Sequence, residues 1–226
     1  MPVISPVKAN HLFWLARYAT RLHAQLHFLR VYYDRCLDEG QEDAIQEYCR
    51  RLALPTCTED RDDFLYHHLF SNETGSLRYC LNCLNDNSIV LREELTTNAI
   101  SYINLCIATL DHCQNSKNVN IIGIQPITDY ILAFWGCVFQ HVTSIPTLQM
   151  LSIGKHVEFI DIHTRFSLPY ARIAAEWDNL DECLSLMDIV VEENNRKALA
   201  EIFSNEHNYK NGLPGMFGLL NSLILV

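Results

Sequence analysis

Residues 12–33 read LFWLARYATRLHAQLHFLRVYY. Within them Leu12, Leu15, Ala19, Leu22, Leu26, Leu29 and Tyr33 follow one another at alternating steps of three and four. An α-helix turns once in ~3.6 residues, so this spacing keeps one side apolar for about six turns. A strand alternates its faces residue by residue and would scatter the same set. The stretch predicts a long amphipathic helix, with Asn10 as its N-cap and Gly40 as its stop.

Further along, Leu77, Leu81, Leu84, Ser88, Leu91 and Leu95 hold helical register. After Thr96 and Thr97, which can cap a helix, a new run takes Ala99, Tyr102, Cys106 and Leu110. Pro126 suits the start of a helix over 127–142, and Pro146 and Pro169 bound another over 147–167. Asn179 with Glu182 reads as a capping box ahead of 184–191, and Gly212, Pro214 and Gly215 precede a closing apolar helix. Turns fall at Pro55 and at 72–75, 114–118 and 194–195. No short alternating run is bounded by turn residues. The expected fold is all-α, a helical bundle.

Composition agrees. The chain has 226 residues, of which 49% are hydrophobic and 19% charged, enough apolar surface for a large core. Lys plus Arg is 17 against 27 Asp plus Glu, a formal charge of -10 with no basic run, which disfavours nucleic acid as a partner. The first ten residues carry no apolar run of signal length, so a cytoplasmic location is expected. The nine cysteines are odd in number, and Cys80, Cys106, Cys137 and Cys183 lie in apolar runs where a reduced thiol behaves as a small hydrophobe; no disulfide is needed. Residues 121–139 are interrupted by Gln125, Pro126 and Asp129, and 213–226 is too short for a bilayer, so no membrane span is expected.

Residues 15–28 align with 153–166 at a constant offset of 138. Leu15 meets Ile153, Ala16 Gly154, Arg17 Lys155, Tyr18 His156, Ala19 Val157, Leu22 Ile160 and Phe28 Phe166. Two unrelated amphipathic helices would share the period, but small, basic, aromatic-like and apolar characters also recur in order. The expected organisation is one helical domain over 1–226 built by tandem duplication, with repeats over about 8–115 and 122–226.

The segment from Asn10 to Leu22 resembles the opening of alpha-E domain proteins, a bacterial helical family named for an adjacent Glu-Arg pair and usually duplicated. Residues 76–104 resemble that family's middle helices, and 153–170 its second Glu-Arg helix. The resemblance implies an uncharacterised helical protein that accompanies ATP-grasp ligases and transglutaminase-like proteins in peptide synthesis or modification. The chain departs from the motif: Thr20-Arg21 and Glu158-Phe159 stand where the two Glu-Arg pairs belong. Adjacent helical residues diverge by ~100°, so each member of such a pair needs a partner elsewhere. If the repeats cross near a two-fold axis, Arg21 and Glu158 are the surviving ion pair, in contact and partly buried.

Arg17, Tyr18, Arg21, Lys155 and Glu158 are therefore the candidate ligand-binding residues, Arg17 and Arg21 being able to grip a carboxylate or phosphate. The plain alternative is a solvated edge beside a structural pair. No catalytic residue is identified. His156, Glu158, Asp161 and His163 lack a second cluster on a facing helix, so no metal is expected; Asp161 with Arg165 reads as a helix-surface pair. Cys80 and Cys83 have redox spacing but sit in a helical run, and His67-His68 reads as one inward and one outward imidazole. Phosphate loops, nucleophile elbows and dinucleotide fingerprints are absent, and no cofactor is expected. The leading reading is an accessory protein presenting a helical face to a partner, an ATP-grasp or transglutaminase-like protein by resemblance, with the apolar run 216–226 as part of that face. A homodimer would satisfy the face equally. The alternatives are an enzyme or ligand binder with a polar cleft between the repeat helices, and a degenerate relative keeping only the fold.

Overall fold

The structure, a computed structural model, describes residues 4–41, 43–55, 57, 60–116, 121–187 and 191–224. Among them the chain is all-α, as the sequence predicts: α1 Pro6–Asp38, α2 Ala44–Leu52, α3 Arg61–Phe70, α4 Leu77–Val90, α5 Thr97–Ser116, α6 Gln125–His141, α7 Ile145–Arg165, α8 Tyr170–Leu186, α9 Glu193–Phe203 and α10 Glu206–Asn221. The only extended pairing among the described residues is one antiparallel bridge between Val191 and Ile224. No described helix is long and apolar enough to cross a membrane.

The chain divides into two compact units, one of Met1–Arg17 with Ser144–Val226, the other of Tyr18–Thr143. In the first, α7 packs on α8 and α10, and α9 on α10. In the second, α5 packs on α6, α4 on α5, and α3 on both α4 and α5. The helix starts follow from local chemistry, because a polar side chain satisfies amides that the first turn leaves without partners. Asp60 accepts from the amides of Asp62 and Asp63 at 2.9 and 2.8 Å, Ser76 from Tyr79 at 3.1 Å, Thr96 from Ala99 at 3.2 Å and Asn205 from Asn208 at 2.9 Å. Pro126 and Pro146 lie in first turns, where a missing amide costs nothing.

Several expectations need correction. Asn10 lies inside α1, which begins at Pro6; Gly40, in the left-handed region at φ 64°, follows its end. The run to Leu95 stops at Val90, with Leu91 and Leu95 buried from the turn instead. Asn179 and Glu182 do not open a helix: Ile173, Trp177, Leu180 and Leu184 are all buried, one stripe that carries α8 through them, and residues 188–190 lie outside the described set. Asn194 and Asn195 belong to the first turn of α9, where Asn195 donates to the Ser222 carbonyl at 3.0 Å. Gly212, Pro214 and Gly215 lie within α10, not before it. Tyr209, Met216 and Leu220 are buried on either side, and exposed Pro214 costs its backbone bond on the wet face. Of the turn over 114–118, Gln114 to Ser116 continue α5 and the rest is outside the described residues. Cys49 and Cys57 form a disulfide, against the expectation that none is needed.

Candidate functional site

In the first unit the decisive local feature is Gly154, in the middle of α7. A Cβ there would strike the Phe13 carbonyl oxygen and lie 2.9 Å from the Ala16 Cβ. Without a side chain, the backbone of α7 rests against the turn of α1 that ends at Ala16. One residue past that contact on α1, and one turn past it on α7, stand Arg17 and Glu158. Both are 2% exposed, and Arg17 Nε donates to Glu158 Oε2 at 2.7 Å. Arg17 Nη2 also lies 3.5 Å from Asp161 Oδ2, and Asp161 Oδ1 accepts from Arg165 Nε at 2.6 Å. Two guanidinium groups thus alternate with two carboxylates, an arrangement that offsets the cost of withdrawing each charge from water. Aromatic rings flank both guanidinium groups: Trp14 and Phe13 lie 5.0 and 5.5 Å from that of Arg17, and Phe217 lies 4.4 Å from that of Arg165.

This corrects one expectation: Arg17 is interior, not part of a solvated edge, and its guanidinium, from the early helix, neutralises the Glu158 carboxylate of the later one. Asp161 pairs with Arg165 as the spacing suggests, but it is buried and shared with Arg17.

Lys155 is half-buried and belongs to a different group. His156 Nδ1 lies 2.8 Å from Glu176 Oε1 on α8, and Cys183 stands two turns along α8 from Glu176. Burial alone would pull His156 down. Interaction with the Cys183 thiol and with the Glu176 carboxylate outweighs it and raises the imidazole from 6.5 to about 9. Burial likewise pushes the Glu176 carboxyl up, but bonding to His156 and the charges of His156 and Lys155, with a bond from Asn179, bring it below its usual value. Glu176 does not stand out in sequence, because it lies on another helix at a separation no local pattern marks.

In the second unit, Tyr18 and Arg21 come together: the Arg21 guanidinium lies 5.7 Å from the Tyr18 ring. Burial pushes the Tyr18 phenol well up, a bond to Cys83 adds to this, and Arg21 opposes it. Cys80 is buried and its thiol donates to the Tyr18 carbonyl at 3.4 Å, while Cys83 is only half-buried. His68 points inward against the Tyr48 hydroxyl at 3.0 Å, and His67 outward to Glu73 at 3.5 Å. Burial, with His67 adjoining, lowers His68 to about 3. Among the described residues no group of three His, Cys, Asp or Glu is arranged to hold a metal.

The fold and its buried charge chain define an all-helical protein organised around an interior ion pair. Residues 6–191 match the Alpha-E family model, described as a predicted alpha-helical domain with a conserved ER motif, and the chain belongs to that family. The sequence itself holds no adjacent Glu-Arg. Comparison with curated proteins and with solved structures gives no match.

Proposed function

We propose that the chain is an accessory helical component that docks a protein partner, an ATP-grasp or transglutaminase-like protein of a peptide synthesis or modification system. The kind of partner rests on the family resemblance. The observation that carries the docking reading is the state of Arg17 and Glu158, which are 2% exposed and neutralise each other, so neither offers its charge to a ligand. A cleft enzyme needs its polar groups to converge on a recess open to water. Of the apolar run expected to face a partner, Met216, Leu220, Leu223 and Ile224 are buried. Exposed apolar surface lies on α6, where Leu132 is 55% and Phe139 45% exposed, seven residues apart on one side of the helix.

We also infer that the chain arose by tandem duplication. What supports this is the close approach at Gly154. The offset of 138 pairs that glycine with Ala16, and these two positions lie against each other, as equivalent residues of two copies do when they cross at an axis.

Affinity purification of the tagged chain from its own host tests the docking reading. The chain is expected to bring down an ATP-grasp or transglutaminase-like protein, and the Leu132→Glu/Phe139→Glu variant is expected to lose it with an unchanged unfolding midpoint. Recovery of neither protein, or retention by the variant, overturns it. Recovery of a second copy of the chain alone replaces the partner with a homodimer.

A further inference from the structure

We propose that the bond between Cys49 and Cys57 is a reversible latch, opened and closed by thiol–disulfide exchange at Cys57, that decides whether α2 stays docked. This does not depend on the docking face of α6. Cys49 lies in the last turn of α2 and is 3% exposed, whereas Cys57, in the connection to α3, is exposed; their Cα atoms are 6.1 Å apart. One sulfur of the bridge is therefore within reach of a dissolved thiol and the other is sheltered. The bridge spans eight residues and ties no distant parts of the chain together, so its loss acts locally. The helix it acts on has little else to keep it. α2 has nine residues, fewer than the ~12–15 at which an isolated helix is even marginal in water, so it is helical only while Ala44, Ile45, Tyr48 and Cys49 are buried. Its end is turned by Ala53 in the left-handed region at φ 52°, a conformation that opposes a residue carrying a Cβ. Leu54 then donates its amide to the Cys49 carbonyl at 3.0 Å, and with Pro55 it walls a recess that also takes in His67, His68 and Glu73. The link from Cys49 to Cys57 closes across this turn and holds it.

To open the latch, one thiolate of a dithiol reductant attacks the exposed Cys57 sulfur. The bond to Cys49 breaks, and Cys49 leaves as a thiolate and takes a proton. The second thiol of the reductant then attacks its own sulfur in the mixed disulfide, releasing Cys57 as a thiol and leaving the reductant as a disulfide. Two electrons and two protons pass to the chain. To close it, the Cys57 thiolate attacks a small disulfide such as glutathione disulfide and releases one glutathione. Cys49 then attacks the Cys57 sulfur of the mixed disulfide and releases the second. With the bond open, the turn at Ala53 relaxes, Leu54 and Pro55 leave the recess, and α2 undocks more readily, drawing Tyr48 from the His68 imidazole that its hydroxyl meets at 3.0 Å.

Mass spectrometry of the whole chain after incubation with glutathione disulfide is expected to show Cys49 linked to Cys57. Dithiothreitol should free both, iodoacetamide should then label Cys57 before Cys49, and renewed glutathione disulfide should restore the same pair. Hydrogen exchange at the amides of 44–54 is expected to be at least about ten-fold faster in the reduced chain than in the oxidised one, on the scale by which closing so short a loop restricts its open state, while exchange in α6 is unchanged. Cys57→Ser, a change at an exposed position, should exchange at the fast rate with or without dithiothreitol, and circular dichroism establishes that it is folded. Equal exchange over 44–54 in the two states of the native chain, a response to dithiothreitol that persists there in Cys57→Ser, or pairing of Cys49 or Cys57 with another cysteine overturns the latch.

Discussion

Glu158 and Arg17 have almost no water with which to share their charges, so each depends on the other. Removing one member of a buried pair leaves a stranded charge and costs roughly 3–5 kcal/mol, whereas removing both to apolar residues is far milder. Arg17→Leu and Glu158→Leu are each expected to lose stability on that scale in urea unfolding, and the double variant to lose less than the worse single. Two near-zero single effects would sink the pair as a structural element. Thr20 stands where the first Glu of the family motif belongs, and its buried hydroxyl has no hydrogen-bond partner among the described residues. Sequence reading reached Glu158 as a buried, paired carboxylate and named Arg17 as a candidate without foreseeing its burial against that carboxylate. The step of three and four residues marks which side of a helix is apolar, but not which polar neighbour a second helix will cover.

At the scale of an element, the two mid-helix glycines of α6 and α7 make opposite demands. Gly136 has nothing within 4 Å of the position a Cβ would take, so it is a helix weakened for no packing gain. Gly136→Ala is expected to stabilise by about 0.5–1 kcal/mol. Gly154→Ala would press a methyl onto the backbone of α1 and is expected to destabilise by about 1–3 kcal/mol. Thermal unfolding of both variants checks the contrast, and a stabilised Gly154→Ala would refute the close approach. Helix starts were legible wherever a side chain acts on its own first turn, as at Thr96, Pro126 and Pro146. The capping box at Asn179 misled because a continuous buried stripe, Ile173 to Leu184, outweighs a local cap signal. Pro214 misled likewise, since packing of Tyr209, Met216 and Leu220 holds α10 together around it.

At the scale of the molecule, two histidines set how stability varies with pH. His156 is raised to about 9 against an ordinary 6.5, so the folded chain holds a proton the unfolded chain releases. Its contribution is full below 6.5 and is lost as pH rises through about 9. His68 is lowered to about 3, so below 6.5 the unfolded chain takes up a proton the fold refuses, and stability falls as pH drops from 6.5 toward 3. Unfolding midpoints across pH should therefore peak near 6.5, His156→Gln flattening the alkaline side and His68→Gln the acid side; unchanged limbs in both variants would refute the assignment. By itself the sequence determined that the chain is helical, where many of the helices begin, which family it resembles and that Glu158 needs a cation, because each of these is set by residues within a few turns of one another. Only the tertiary structure decided that Arg17 is buried against Glu158, that Met216, Leu220, Leu223 and Ile224 are core and that His156 pairs with Glu176. Those outcomes depend on which helix faces lie against each other, and contacts between residues far apart in the chain leave no mark on local spacing.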